Sequence, residues 1–307
     1  MAQEYNEVRE DFIDGFNFIL EERDKGEELE LIAQGTPFEH FALKGEGTLF
    51  RPSIPMELAY ANCRDMDSDE MTEAFLQILE MNEDAELISK EELEQIDNIV
   101  IFPVSLTKYQ DKLEENNIAF MPYQDMAAIF QFYMEKDTFS YCRDVTKAHL
   151  DIWGLSVQEL FEIVRYKEIE VTIENQYDAL MEDFANDKSI ILKPAGGVPE
   201  ELKEMYQVYG MNGFGVIWYP RVMEQMHEKL GSEMLIIPDD IYRAYIQAPS
   251  LLNTSELQLR LQDGNESKEI MGEGRHVLSE QIFKYDMETK NLVPAVEPKI
   301  ADKHKMR

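Results

Sequence analysis

A continuous apolar run of strand length, Asn98-Ile99-Val100-Ile101-Phe102-Pro103, lies one third of the way along the chain. Consecutive apolar residues predict a strand that is buried on both faces, because alternate side chains of a strand point to opposite sides of its sheet. We therefore expect this run to open the main sheet. Further strands are predicted at Ala119 to Met121, Met126 to Tyr133 and Thr138 to Cys142.

The chain before this run predicts a smaller α+β region. Apolar residues at spacings of three and four between Val8 and Leu20 indicate an amphipathic helix that ends at Asp24-Lys25-Gly26. The pattern then changes to short apolar runs separated by Gly35, Pro37 and Gly45, which is typical of strands. The predicted strands are residues 29–32, 38–43 and 47–50, and the helices that follow are residues 56–62 and 68–80.

Helices and strands also alternate after the central strands. Ser156 and Glu159 have the spacing of a capping box, which predicts the start of a helix over residues 156–171, after another over residues 145–153. Asp239 or Asp240 is predicted to cap a further helix through Tyr245. The other predicted elements are strands at 215–219 and 234–237, a helix at 221–230 and a hairpin of residues 281–285 and 291–293.

These patterns predict an α+β fold with a mixed sheet, flanking helices and the smaller acidic N-terminal region. We expect the sheet to contain residues 99–102, 126–133, 216–219 and 235–237. A linker is predicted at Lys193 to Pro199, where proline and glycine cluster. The predicted regions are 1–96, 97–192 and 193–298, followed by a basic disordered tail at 299–307.

The charge of the chain limits its partners. It carries 62 acidic and 29 basic residues, a net charge of −33, and residues 1–98 alone carry −20. Such a surface repels nucleic acids and anionic membranes, and it favours basic proteins. The acidic first residues predict no secretion signal, and no apolar run reaches the length of a membrane span. With two cysteines and no Cys-x-x-Cys pair, the sequence predicts a cytoplasmic protein.

The motifs that could carry chemistry are incomplete. Asp65, Asp67 and Asp69 have the spacing that opens a calcium loop, but Glu70 and Leu76 stand where the loop needs glycine and glutamate. The glycines between Gly210 and Gly215 precede the predicted strand, whereas a phosphate-binding loop precedes a helix, so a loop bend is expected there.

The residues that could act as nucleophiles or metal ligands form no recognisable set. His227-Glu228 has glycine at the position of the second zincin histidine. Cys142 with His149, or Ser156 or Ser232 with a histidine, would need a proximity that the sequence does not indicate. We predict no catalytic, cofactor-binding or metal-binding residues and no cofactor.

The most acidic stretch is a candidate interaction surface. Its charges could dock a basic partner by complementing its potential, or they could form an ordinary solvated surface. We call it the acidic stretch, and its members are Glu80, Glu83, Asp84, Glu86, Glu91, Glu92 and Glu94.

Several segments together resemble one protein family. They are Pro52 to Tyr60, Ile99 to Pro103, Pro122 to Tyr133, Trp153 to Leu160, Gly215 to Pro220 and Leu235 to Pro238. The set is similar to an uncharacterised family of intracellular proteins of gut Firmicutes, known only as a domain of unknown function. The resemblance covers roughly residues 48–290, and it implies an α+β fold and a cytoplasmic bacterial protein but no reaction. Members tend to carry Ser-Ser-x-His-Glu after the last of these segments, where this chain has Asp239-Asp240-Ile241-Tyr242-Arg243.

The sequence favours a non-enzymatic binding or adaptor protein whose acidic N-terminal third contacts a basic partner. One alternative is a hydrolase that uses carboxylates in a cleft between the halves of the chain. The other is a nucleic-acid mimic, which would arrange carboxylates at phosphate-like spacing and occupy the DNA site of another protein.

Overall fold

The structure, a computed structural model, describes residues 2–23, 26, 28–44, 49–63, 66, 68–186, 200–231, 233–249 and 253–295. The chain forms two units, and neither is continuous in sequence. The first consists of residues 1–165 and 268–277, and the second of residues 166–267 and 278–307. The predicted division at residue 97 falls inside the first unit. The predicted linker at 193–199 and the tail at 299–307 lie outside the described residues.

The first unit begins with a long helix and continues through four groups of strands and helices. Its elements are α1 (Ala2–Arg23), β1 (Glu28–Ile32), β2 (His40–Lys44), β3 (Leu49–Phe50), β4 (Ser53–Pro55), α2 (Met56–Cys63), α3 (Ser68–Asp84), β5 (Ile88–Ser89), α4 (Lys90–Leu93), β6 (Ile99–Ser105), α5 (Leu106–Glu115), β7 (Phe120–Tyr123), β8 (Met126–Lys136), β9 (Phe139–Asp144), α6 (Lys147–Trp153) and α7 (Val157–Arg165).

Aromatic side chains form the core around α1. Phe12 and Phe16 are fully buried on the apolar face of α1, and each contacts the rings of Phe41 on β2 and Phe75 on α3. Centroid separations of 4.7–5.8 Å lie in the range of favourable aromatic pairs. The spacing that predicted the helix therefore selects the residues that attach α1 to the three-stranded antiparallel sheet β1-β2-β4.

The predicted central strands are confirmed. β8 pairs along residues 126–132 with β6, and it pairs on its other edge with β7 and then with β9, all antiparallel. Ile99, Ile101 and the β8 residues from Met126 to Phe132 are buried, as the continuous apolar runs predict. The capping box is also confirmed, because the Glu159 carboxylate accepts from the Ser156 backbone N–H at 2.8 Å and the Ser156 hydroxyl from the Glu159 N–H. α7 ends at Arg165, earlier than predicted.

The second unit is an antiparallel sheet with helices. Its strand order is β10-β11-β13-β12-β14-β15. The elements are β10 (Thr172–Asn175), α8 (Gln176–Asn186), β11 (Met205–Tyr209), a 3-10 helix (Gly213–Trp218), α9 (Pro220–Leu230), β12 (Leu235–Pro238), β13 (Ala244–Gln247), α10 (Thr254–Ile270, of which residues 268–270 belong to the first unit), β14 (Phe283–Asp286) and β15 (Asn291–Pro294). The α+β class is confirmed. Every strand pair of the described residues is antiparallel, where a mixed sheet was predicted.

The predicted strand at residues 215–219 is wrong. Residues 213–218 form a buried 3-10 helix that follows β11, so the glycines open a helix rather than precede a strand. A short apolar run indicates burial but does not distinguish a strand from a buried helical turn. The predicted single sheet is also wrong, because residues 99–102 and 126–133 form a sheet in the first unit and residues 235–237 belong to another sheet in the second.

The predicted helix after Pro238 is wrong as well. Asp240 does accept backbone hydrogen bonds, from Tyr242 N at 2.8 Å and Arg243 N at 3.1 Å. These bonds form a turn between β12 and β13 rather than the first turn of a helix, and Ala244 begins a strand. Aspartate is favoured both in turns and at helix N-termini, because its side chain accepts hydrogen bonds from backbone amides two or three residues ahead.

Candidate functional site

Most of the acidic stretch is paired with cations of the same unit. Glu83 pairs with Arg23, and Lys136 pairs with Glu86 at 2.7 Å and Glu92 at 3.4 Å. Glu94 lies 3.4 Å from Lys90 and 3.2 Å from His149. Glu80 and Glu91 are exposed and have no ion pair among the described residues, and the Asp84 side chain lies outside them. Neighbouring cations therefore compensate much of the charge that the sequence places here.

A second acidic surface lies on α1, and we call it the α1 acidic face. Its carboxylates are exposed, and none of them has an ion pair within the part of the chain that the structure describes. At about 100° per residue they lie opposite the core face of Phe12 and Phe16. Phe18 lies among them with 60% of its surface exposed. The acidic members are Glu7, Glu10, Asp11, Asp14, Glu21 and Glu22.

The first unit also contains a polar cleft, which we call the Tyr5 cleft. Its volume is about 700 Å³, and it lies between α1, the loop of residues 33–39, α5 and residues 269–275. Cationic side chains converge there although the chain as a whole is acidic. They are Arg9, Lys108, Lys112 and Arg275, and the carboxylates of Glu39, Glu115 and Glu269 lie beside them.

An ion pair between Arg9 and Glu39 forms one side of the cleft. Arg9 Nε donates to the two carboxylate oxygens at 2.9 and 3.1 Å, and Nη2 lies 2.8 Å from Oε1. The Gly35 N–H also donates to Oε2 at 2.6 Å. Only 2% of the Glu39 side chain is exposed. A buried carboxylate with this set of charge-assisted donors holds the Arg9 guanidinium in a fixed position.

A second pair, between Arg275 and Glu57, forms the other side. Arg275 donates from Nε and Nη2 to the two Glu57 oxygens at 2.6 and 3.0 Å, and His276 Nε2 lies 3.0 Å from Oε1. Burial alone would raise the Glu57 pKa, but the hydrogen bonds from His276 and Arg275 outweigh burial and lower the pKa to about 2. Residues 268–277 are thereby attached to α2 in the first unit.

Tyr5 lies between these two pairs. The Arg275 guanidinium is 4.0 Å from the centre of its ring, and the Tyr60 ring meets it edge-on at 4.9 Å. Burial, together with the charges of Glu57 and Glu39, raises the Tyr5 pKa. Tyr5 is only 8% exposed, and its hydroxyl has no hydrogen-bond partner among the described residues. The phenol therefore stays protonated and available as a donor.

Asp144 fixes the start of the loop of residues 33–39 by a hydrogen bond to its backbone. Asp144 Oδ2 accepts from the Ala33 N–H at 2.7 Å, and Oδ1 accepts from Gln131 at 3.2 Å. Burial raises the Asp144 pKa to about 6 despite these bonds. Asp144 thus positions the loop that carries Glu39.

Among the described residues, the nucleophiles considered from the sequence do not form a catalytic pair. His149 uses Nδ1 to accept from the Thr146 N–H at 2.9 Å, and its Nε2 lies 3.2 Å from Glu94. Both ring nitrogens are therefore engaged. Cys142 is buried, and burial raises its pKa well above the usual range. Ser156 caps α7, and Ser232 lies outside the described residues.

The described ranges contain neither a metal-binding cluster nor a membrane span. No group of three His, Cys, Asp or Glu side chains there is arranged to hold a metal ion. No helix in those ranges combines the length and apolar character needed to cross a bilayer.

Sequence reasoning missed the residues of the Tyr5 cleft. One signal was present, because Arg9 falls on the core stripe of α1, in phase with Tyr5, Phe12 and Phe16. A charged residue on an apolar stripe indicates a buried ion pair. The Arg9–Glu39 and Arg275–Glu57 pairs each join positions that are far apart in the chain. No local pattern in the sequence relates such positions.

Comparison with known protein families gives a match over most of the chain. Residues 33–287, more than half of the chain, match the sequence model of a family described as Family of unknown function (DUF5688). Glu39, Glu57 and Arg275 lie within the matched range, and α1 precedes it. No curated protein and no solved structure matches the chain.

Proposed function

This chain belongs to DUF5688, a family of unknown function, and we propose that it is a non-enzymatic binding protein of the bacterial cytoplasm that docks a basic protein partner. The docking surface is the α1 acidic face. The observation that carries the proposal is that its six carboxylates are exposed and have no ion pair among the described residues.

Such charges weaken the helix on which they lie. Glu7 and Asp11, and Glu10 and Asp14, are like-charge pairs at i,i+4, and each such pair costs a helix about 0.2–0.5 kcal/mol. A cationic partner removes this repulsion when it binds. The free energy of association therefore gains a contribution from the helix itself.

The geometry of the face indicates the form of its partner. Glu7 and Glu21 are separated by 14 residues of helix, which corresponds to about 21 Å along its axis. The exposed Phe18 ring provides an apolar contact within this row. A segment with lysines or arginines spaced over several turns and an apolar residue among them complements both features.

The acidic stretch supplies a smaller contribution. Only Glu80 and Glu91 among its described side chains lack an ion pair, so fewer of its charges attract a partner. The same negative potential opposes binding of the chain to nucleic acid or to an anionic membrane.

Charge reversal on α1 tests the proposal. In the variant Glu7→Lys, Asp11→Lys, Asp14→Lys, Glu21→Lys, we expect a basic protein captured from the native host by the wild-type chain to be lost. With that purified partner, the association rate at low salt falls about tenfold or more, because exposed charges act mainly on the on-rate. Raising the salt concentration reduces the difference between the two chains.

A matched control makes the same charge change in the second unit. Its substitutions are Glu182→Lys, Glu228→Lys, Asp263→Lys and Glu266→Lys, all at exposed helical positions. We expect the control to retain the partner. Equal loss in both variants would show that net charge rather than the α1 acidic face is responsible, and an unchanged rate in the α1 variant would refute the proposal.

A further inference from the structure

The Tyr5 cleft presents hydrogen-bond donors that the protein itself leaves unused. The Tyr5 hydroxyl has no partner among the described residues, although the residue is more than nine-tenths buried. The hydroxyl oxygen keeps some contact with solvent, unlike the fully buried polar atoms that lack a partner. Because Tyr5 lines the cleft, the hydroxyl reaches the cleft interior. Arg9 binds Glu39 through Nε and Nη2, which leaves Nη1 without a partner in the same set of residues.

The carboxylates of the two buried ion pairs are already occupied. Both Glu39 oxygens accept from Arg9, and one also accepts from Gly35. Both Glu57 oxygens accept from Arg275. A molecule that approaches Tyr5 and Arg9 therefore meets free donors and satisfied carboxylates, whereas the exposed Glu115 and Glu269, which also line the cleft, pair with Lys112 and Lys108. Such a site selects a ligand that brings its own acceptors.

We propose that the Tyr5 cleft binds a polar organic anion, whose carboxylate or phosphate oxygen accepts hydrogen bonds from the Tyr5 hydroxyl and from Nη1 of Arg9. This site is separate from the α1 acidic face, and its ligand is a small molecule rather than a protein.

The lysines of the cleft pair with Glu269 and Glu115, so the preference for an anion over a neutral ligand rests on the free donors of Tyr5 and Arg9. Lys108 on α5 donates to the Gly274 carbonyl at 2.7 Å, and Lys112, one helical turn later, lies at the half-exposed edge of the cleft. Because Tyr5 has a raised pKa, its hydroxyl donates to an oxyanion throughout the physiological pH range. Hydrogen bonds to a charged acceptor are stronger than those to a neutral acceptor.

The size and lining of the cleft restrict the rest of the ligand. A volume of about 700 Å³ lies within the range of cofactor and metabolite sites, roughly 300–1,000 Å³, and exceeds what an inorganic ion fills. The side-chain amides of Asn6 and Gln34 line it beside the charged groups. A body with hydroxyl or further carboxyl groups, of the size of a sugar phosphate or a tricarboxylate, fits this lining.

The test uses the full chain with four probes. Citrate supplies a carboxylate, and inorganic phosphate and glucose 6-phosphate supply a phosphate. Glucose is the neutral control. Binding is measured by titration calorimetry and by the amide resonances of Asn6 and Gly35, which line the cleft from α1 and from the loop of residues 33–39. We expect at least one anion to bind and to shift both resonances, with no effect of glucose. Preference for citrate or for a phosphate supports the proposal equally and identifies the source.

Two tyrosine variants provide the matched comparison. Tyr5→Phe removes only the hydroxyl, and we expect it to weaken anion binding about tenfold or more. Tyr60→Phe makes the same change in the adjacent ring, which does not line the cleft, and we expect binding within about twofold of wild type.

If Tyr5→Phe does not fold, Lys112→Gln at the exposed edge takes its place, with an expected loss of about threefold. The proposal is overturned if none of the three anions shifts Asn6 or Gly35 at 10 mM. It is also overturned if the Tyr5 and Tyr60 variants weaken binding equally.

Discussion

The guanidinium of Arg275 lies 4.0 Å from the centre of the Tyr5 ring, although the two residues are near opposite ends of the chain. Arg275 also forms two hydrogen bonds with Glu57, so one side chain connects residues 268–277 to both α1 and α2. A cation over an aromatic face and a bidentate carboxylate pair reinforce each other, since both fix the plane of the guanidinium.

Glu57→Gln tests this connection through its pH dependence. The Glu57 pKa is lowered to about 2, so the carboxylate contributes stability above its usual pKa and loses that contribution as the pH falls toward 2. We expect the variant to be about 1.5–3 kcal/mol less stable than wild type at pH 7. Urea unfolding should show this difference shrinking between pH 4.5 and pH 2.5. A difference that is constant with pH would contradict the assignment.

Asp144 predicts the opposite pH dependence. Its pKa is raised to about 6, so the folded state binds a proton more tightly than the unfolded state does. Between the two pKa values stability therefore decreases as the pH rises. We expect wild type to gain up to about 3 kcal/mol relative to Asp144→Asn when the pH is lowered from 7 to 4. Parallel unfolding profiles of the two proteins over this range would exclude the effect.

Glu39→Gln tests the buried pair of the Tyr5 cleft. Removing one member of a buried ion pair leaves the other charge uncompensated and costs about 3–5 kcal/mol. We expect a loss near the lower value, because Arg9 retains some solvent contact. The double variant Arg9→Met, Glu39→Gln should be less destabilised than the sum of its single changes. Glu22→Gln, at an exposed position of α1, should change stability by less than about 0.5 kcal/mol in the same denaturation experiment.

Two glycines of the second unit form a further matched pair. Gly213 has φ +56°, and a Cβ there would lie 2.1 Å from the Ile241 carbonyl oxygen, so Gly213→Ala forces the backbone to move. We expect it to destabilise the second unit by about 2 kcal/mol or more. Gly264 lies within α10 and has open space around it, so Gly264→Ala should stabilise by about 0.5–1 kcal/mol. Thermal unfolding that gives both changes the same sign would contradict this packing.

Local patterns predict most of the elements. The apolar run at Ile99 and the Ser156 capping box each specify a structure through neighbouring residues, and both predictions are confirmed. The run at Gly215 fails because burial on all sides is common to central strands and buried helical turns. The aspartates after Pro238 fail because the same side-chain hydrogen bonds begin helices and close turns.

Local sequence patterns do not predict the Tyr5 cleft, for a different reason. Glu57, Arg275 and Tyr5 meet only after α1, α2 and residues 268–277 have packed together. No short-range periodicity relates these positions. Of the cleft residues, only Arg9 has a sequence position that indicates burial, because it is a charged residue on the core stripe of α1.

The assignment of residues 268–277 to the first unit has a consequence for synthesis of the protein. The ribosome releases residues 1–165 first, but Arg275 reaches Glu57 and Tyr5 only after the whole of residues 166–267 has been made. During that interval Glu57 is without its Arg275 and His276 partners. The first unit is therefore begun first and completed late, and a fragment that stops at residue 165 lacks one side of its own cleft.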